Sequence, residues 1–447
     1  MSKQVDAAAI MEPSERKKRR LLITLSFVIV AAGFPLVLIG KSVLKEELFS
    51  MQWFTGAGSP LGMAAVMLLS CQFVIAAKFR FLDRIFSLNR LFICHRIFGI
   101  TAALCALAHP VIMFWPNITQ PGPLNLWFWP GILGTLVFFS LCGAGFAALF
   151  RDRLGIAFNL WFPMHRYGAV GIGLLALVHF SFAEGHFEAG VTHFVLIAAL
   201  CAYAVSFFLN KGVRYIVTAK TCPGHDTVAF DLVPQEEPWV SHAPGQFALV
   251  TFLSDNVPRE EHPWTISSSP AANGTLQFTI KKSGDFTSQI DTLGPGDTAG
   301  VRGPYGLFSH MSLGGTDRSD LVMIAGGVGI TPFLSMLRYL AATGDSRKII
   351  LVWSNKTEGD ILWQEELRRL EQQLPGLAVH HVLTRQENPN GHTGRLTAGL
   401  LKTLVTDIKR DHHIFVCGPP PMSAHVTAQL KQCGFSPSRI HREDFRV

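Results

Sequence analysis

The chain has 447 residues, 49% hydrophobic and only 16% charged, with a formal net charge of +7. That balance excludes a wholly soluble enzyme, and basic residues that flank apolar runs without interleaved aromatics exclude a nucleic-acid surface. Eight scattered cysteines with no CxxC pair argue against a zinc ribbon, an iron–sulfur module or a disulfide framework.

Residues 1–20 read as a polar cytoplasmic tail ending in Arg16–Arg20 (RKKRR). The apolar run that follows has no small-residue cleavage signal, so it reads as an uncleaved first span. Six runs can cross the ~30 Å hydrocarbon core. They are roughly Leu21–Gly40, Ser59–Ala77, Leu91–Trp115, Trp127–Phe150, Trp161–Ala183 and Val191–Leu209. Lys3 and Arg16–Arg20, then Lys78, Arg80, Arg84 and Arg90, then Arg151 and Arg153, then Lys211 and Arg214 fall on one side; the other holds only Lys41 and Lys45. The asymmetry places both termini in the cytoplasm, with Trp115, Trp127, Trp129 and Trp161 at the interfaces. Residues 21–210 are therefore expected to form an all-α six-helix membrane bundle.

The third and fifth spans carry the chemistry. His95 and His109 are fourteen positions apart, and so are His165 and His179. Fourteen residues return to within about 40° of one helix face and rise about 21 Å. An imidazole at membrane depth is costly unless something binds it. Two parallel spans with this spacing give two facing pairs, His95 with His165 near the cytoplasmic face and His109 with His179 near the outer face. Two stacked bis-histidyl b-type haems require that arrangement, with the four histidines as iron ligands. Arg96 and Arg166 follow the inner pair and can meet haem propionates or snorkel to the interface. Gly99, Gly168, Gly171 and Gly173 leave room for a macrocycle or for close helix packing. His186 and His193 break the spacing and are expected to face water.

After Arg214 the pattern changes. Tyr215–Val233 and Gln246–Leu253 alternate like strands between Pro/Gly turns, predicting an antiparallel β-barrel over residues 211–312. Residues 313–447 repeat strand, loop and helix: Leu321–Ile324, Ile349–Trp353, Ala378–Leu383 and His413–Cys417 read as buried parallel strands of an α/β doubly wound domain. His262-Pro263-Trp264-Thr265 offers an aromatic and a hydroxyl suited to a flavin ring. Lys281, Gly284 and Thr287 offer a cation and a loop-to-helix start for a pyrophosphate. Ala325–Thr331 (AGGVGIT) lies at a strand's carboxyl end, where open α/β sheets bind ligands. Cys417-Gly418-Pro419 fixes a turn that puts Cys417 where a nicotinamide rests; the competing role for Cys417 is a buried core residue.

HPWTI, AGGVGITPF and CGPPPM in this order resemble the flavin and nicotinamide motifs of a ferredoxin–NADP reductase-type module. Joined to the histidine-paired spans, residues 20–447 resemble the ferric reductase and NADPH oxidase superfamily. The resemblance implies FAD at His262, Trp264 and Thr265, with Lys281, Gly284 and Thr287 near its phosphates. It implies nucleotide phosphates at Gly326, Gly327, Gly329 and Thr331. Arg385 stands where NADP-preferring relatives keep an arginine for the 2′-phosphate, with Lys356 assisting, so NADPH is favoured. Phe445 stands near the place of a flavin-covering aromatic, but two residues follow it. The implied activity is electron transfer from NAD(P)H through FAD and two haems to an extracytoplasmic acceptor, ferric chelate or O2. The outer mouth has Glu184 and Glu188 and no arginine to attract superoxide, which leans toward ferric chelate. The rival functions are an electron-entry subunit for a periplasmic protein or quinone, and a transporter with a regulatory nucleotide domain.

Overall fold

The computed structural model describes residues 11–28, 50–119, 129–182, 187–209, 212–236, 240–272, 274–314, 317–388, 391–405 and 412–444. The chain divides into two compact units, Arg16–Lys211 and Gly212–Val447, with Met1–Glu15 grouped with the latter.

The first unit is helical: α1 (Pro13–Val28), α2 (Met51–Ala76), α3 (Arg80–Phe86), α4 (Leu88–Thr119), α5 (Trp129–Phe150), α6 (Phe158–Phe182) and α7 (Phe187–Leu209). α1 begins at Pro13 rather than Leu21, so the basic run is helical. Proline at the first helical position and Glu15 in the first turn suit the positive end of the helix dipole. Residues 29–40 of the expected first span lie outside the described residues. Among the described residues, four segments are long and apolar enough to span a membrane: Ala57–Ala76, Leu88–Met113, Gly131–Phe150 and Gly190–Phe208. α6 is 25 residues long, but His165, Arg166, Tyr167 and His179 dilute its apolar character.

α2 and α4 meet along glycines in antiparallel register. Gly58 lies opposite Met113, Gly62 opposite His109, and Gln72 opposite Gly99. A Cβ at Gly58 would stand 2.7 Å from the Met113 sulfur, so a side chain there would have to displace Met113. The interior is filled by Phe73, Ile172, Ala176, Phe180, Leu196 and Tyr203. Phe139, Phe194 and Phe208 face outward, as lipid-facing residues do.

The second unit has two lobes. The first is a six-stranded antiparallel sheet of β1 (Val213–Gly224), β2 (Thr227–Pro234), β3 (Phe247–Phe252), β4 (His262–Thr265), β5 (Leu276–Lys281) and β6 (Thr298–Tyr305), ordered β4-β3-β6-β1-β2-β5. It curls into a half-barrel, and its end strands meet at one bridge, Ile266 to Phe278. Tyr215, Phe230, Phe252 and Phe278 fill it. The second lobe is a sheet of β7 (Leu321–Gly326), β8 (Ile349–Asn355), β9 (Leu377–Leu383), β10 (His392–Thr393), β11 (His413–Gly418) and β12 (Ile440–Asp444), all pairs parallel, ordered β10-β9-β8-β7-β11-β12. α8 (Thr331–Ala342) and α9 (Gln364–Gln373) pack into the core on one face, α10 (Ala398–Leu404) and α11 (Pro420–Gln432) into that on the other. The strand order reverses between β7 and β11, and that switch point is where such sheets bind ligands.

Candidate functional site

The inner pair of histidines meets across the two helices. His95 on α4 and His165 on α6 face each other with ring centres 6.2 Å apart and planes at 74°. A metal–imidazole bond is about 2 Å and the ring centre lies roughly 1 Å beyond the nitrogen, so two imidazoles sharing one metal stand about 6 Å apart. His165 is stacked on Trp161 at 4.9 Å, and its buried Nδ1 has no hydrogen-bond partner among the described residues. His109 donates from Nδ1 to the Gly58 carbonyl at 2.9 Å, which fixes the tautomer and leaves Nε2 with its lone pair, as in a metal-ligating histidine. Each outer histidine lies against a glycine. A Cβ at Gly62 would be 3.1 Å from His109 Nδ1, and one at Gly134 would be 2.8 Å from His179 Cε1. These donors fit axial ligation of haem iron.

Of the helix glycines, Gly168 and Gly171 have open space where a Cβ would stand, whereas Gly173 is closed by Phe73 and Leu200. Arg96 is exposed. Arg166 lays its guanidinium over the Phe207 ring at 4.1 Å, so it already has a partner in the protein.

In the half-barrel, HPWT forms β4. His262 stacks on Trp264, with ring centres 5.5 Å apart, and on Phe286 at 4.2 Å, and its Nε2 lies 3.1 Å from the Glu260 carboxylate. Burial holds His262 below the ordinary histidine range, against the opposing pull of Glu260 and Glu261, so it is a neutral polar group beside an aromatic platform. Pro263 is exposed and Thr265 is buried at the strand's end. Lys281 ends β5; Lys282 is committed to Asp291 at 2.6 Å. The loop after it is a run of turns, not a helix start. Gly284 has φ +123°, and Thr287 Oγ1 accepts from the Ser283 N–H at 2.7 Å.

At the switch point, the glycine loop and the CGP turn meet backbone to backbone. A Cβ on Gly329 would lie 2.5 Å from the Cys417 carbonyl oxygen and 2.8 Å from Gly418 Cα; one on Gly326 would strike Met422. Gly327, at φ +54°, opens onto free space, and its carbonyl accepts from Trp353 Nε1 at 2.9 Å. Thr331 caps the turn onto the Val328 carbonyl, and Pro332 follows. α8 thus starts directly after the glycine loop at the switch point. Pro419 is the N-cap of α11. Cys417 is fully buried near the end of β11, against the glycine loop. Lys356 and Arg385 are exposed at the ends of the neighbouring strands β8 and β9, joined by Arg385 N–H to Lys356 carbonyl at 2.9 Å. Phe445 lies outside the described residues.

The flavin motif and the glycine loop are tied together. Ser335 on α8 donates to the Ser268 carbonyl at 2.7 Å, and Arg338 donates to the Ser267 carbonyl at 2.6 Å while bridging to Glu366. Ser267 and Ser268 directly follow HPWTI, so α8 carries the nucleotide loop to the flavin motif. Phe286, Trp353, Gly62 and Gly134 were missed by sequence reasoning. Phe286 had a signal, an apolar residue between Gly284 and Thr287; the others act through long-range contacts.

Residues 61–178 match the family described as ferric reductase like transmembrane component, a stretch that contains His95, His109 and His165 and stops one residue before His179. Residues 212–294 match an FAD-binding domain and residues 323–428 an oxidoreductase NAD-binding domain. The chain is 32% identical over 208 residues to the sulfhydrogenase 2 subunit gamma of Pyrococcus furiosus, covering 44% of this chain and 70% of that one. It is 31% identical over 208 residues to a glycine betaine monooxygenase reductase subunit of Pseudomonas aeruginosa, covering 45% of this chain but only 56% of that protein. A flavohemoglobin structure from Malassezia yamatoensis, with bound FAD and heme, aligns at TM-score 0.50 and 18% identity over 87% of this chain and 96% of that one, a likeness of fold.

Proposed function

We propose, from the premise that this chain belongs to the ferric reductase and NADPH oxidase superfamily and joins a ferric-reductase-like membrane component to a ferredoxin–NADP reductase-type module, that it is a six-span oxidoreductase with both termini cytoplasmic. It carries electrons from NAD(P)H through FAD and two b-type haems to a small acceptor outside the membrane. The observation that carries this reading is the 6.2 Å facing of His95 and His165, each with a second histidine fourteen residues on, in a chain that also holds a flavin-and-nucleotide module.

When bound, the cofactors supply hydride acceptance, division of the electron pair and one-electron transfer. The protein supplies the rest. His95 with His165, and His109 with His179, hold the two irons. Arg96, exposed on α4, takes a propionate, and Arg166 serves only by leaving Phe207. Trp264, His262 and Thr265 bind the flavin ring, Lys281, Gly284 and Thr287 its pyrophosphate. Gly326, Gly327, Gly329 and Thr331 take the nucleotide phosphates, and Gly418 and Pro419 shape the nicotinamide crevice above Cys417.

Lys356 and Arg385 form the pocket for a 2′-phosphate. A hydrogen bond to a charged group contributes about 1.5–3 kcal/mol, so Arg385→Ala is expected to raise the KM for NADPH roughly ten- to a hundredfold with little change for NADH. Stopped-flow flavin reduction with each nucleotide measures it; an equal loss for both would remove Arg385 from the pocket.

Turnover with ferric chelate under anaerobic and aerobic conditions, scoring ferrous iron against superoxide, tests the acceptor. Ferrous iron at equal rates in both is expected. A second reading is favoured by the relatives' names, which describe subunits of larger systems. In it the chain feeds a periplasmic protein or quinone, and flavin and haem reduce while neither small acceptor turns over.

A further inference from the structure

Ser335 and Arg338 stand three residues apart on α8 and leave the same face of the helix. Both reach the residues that follow the flavin motif, Ser335 at the Ser268 carbonyl and Arg338 Nη1 at the Ser267 carbonyl. Arg338 does more. The same Nη1 donates to Gln277 Oε1 on β5 at 2.8 Å. Nε and Nη2 form a two-pronged bridge to the Glu366 carboxylate on α9, at 2.6 and 2.7 Å. Gln277 is itself anchored, since its Nε2 donates to Asp231 Oδ1 on β2 at 2.8 Å. One planar, permanently charged group therefore joins the half-barrel to two helices of the nucleotide lobe. Lysine, a point charge, cannot span these acceptors. The junction is largely screened from water, with the Arg338 side chain 14% exposed, and charge-assisted bonds of this kind hold their geometry closely. Thr331, at the end of the glycine loop, lies seven residues before Arg338, about 10 Å along the helix axis. A change of tilt at Arg338 is therefore carried by α8 to the loop.

We propose that Arg338 is a positioning residue for hydride transfer, its fork fixing how α8 aims the glycine loop at the flavin motif; this rests on the flavin and nucleotide assignments made above. The reaction is one hydride passed from NADPH to oxidised flavin, giving NADP+ and reduced flavin. Arg338 adds no group to that step. It acts through α8, by setting the alignment of the two reactants. A displacement of about 1 Å at the reacting atoms can cost on the order of a hundredfold in rate. Affinity for the nucleotide is set by contacts in the crevice itself, so it is expected to stay as it is.

The test is anaerobic stopped-flow reduction of the flavin by NADPH, over a range of NADPH concentrations, in the purified full-length holoprotein. Arg338→Met is expected to keep its flavin and its half-saturating NADPH concentration, while the limiting rate falls about ten- to a hundredfold. Glu366→Gln, which leaves Arg338 its contacts to Ser267 and Gln277, is expected to lower the limiting rate less. Added to Arg338→Met it should lower the rate no further, because both changes break one junction. Should Arg338→Met not accumulate, Arg338→Lys carries the test with the same expected split. A wild-type limiting rate, a loss confined to the half-saturating concentration, or loss of bound flavin would overturn the inference and leave the cofactor assignments standing. A wild-type protein whose flavin neither NADPH nor NADH reduces would overturn both.

Discussion

Replacing His109 with alanine is expected to remove about half of the reduced b-type haem absorbance and abolish delivery to the outer acceptor, while NAD(P)H still reduces the flavin. The expectation follows from how the ring is held. Its Nδ1–H is spent on the Gly58 carbonyl at 2.9 Å, its flank is pressed on Gly62, and its Nε2 is left to a metal. No neighbouring histidine on α4 can take its place, since His95 is fourteen residues away. The inner pair does not depend on it, because His95 meets His165 through a separate contact. Absorbance in the α-band region, together with ferric chelate reduction and flavin bleaching on one preparation, measures all three outcomes. Undiminished outward flux in the variant would place the electron path elsewhere.

The second large effect is expected at Gly329. An added methyl would stand 2.5 Å from the Cys417 carbonyl oxygen and 2.8 Å from Gly418 Cα, and both are backbone atoms that cannot swing aside. Overpacking of this kind costs about 1–3 kcal/mol. Here the strain falls on the two loops that shape the crevice, so Gly329→Ala should cut the rate of flavin reduction by NADPH by about 5- to 150-fold while haem content stays at wild type. Gly327→Ala is the contrast. Nothing lies within 4 Å of its Cβ position, but its φ of +54° leaves a milder backbone cost. If Gly329→Ala retained full activity, the two loops would not form one crevice.

Much of this was legible in the sequence because it depended on periodicity or on short-range order. The fourteen-residue histidine spacing projects directly onto a helix face, and the alternation of strand, loop and helix after Ser319 gives the doubly wound lobe. What stayed hidden acts across the chain. No local pattern says that Gly62 and Gly134 support histidine rings on other helices, or that Trp353 pins the glycine loop from a neighbouring strand. Arg166 shows the same limit from the other side: its position suggested a propionate, and its guanidinium rests on Phe207, a residue 41 positions away. Hydropathy counted α6 as a span, whereas it is not among the four described segments that are long and apolar enough to be one. The expected helix after Gly284 is a chain of turns because Thr287 bonds back to Ser283.

The most direct measurement is a reduced-minus-oxidised visible spectrum of the purified full-length protein, with haem and FAD quantified on the same sample. The account predicts sharp bis-histidyl b-type bands and two haems for each flavin. A colourless protein, or a single haem that survives alanine substitution of His95, would contradict it.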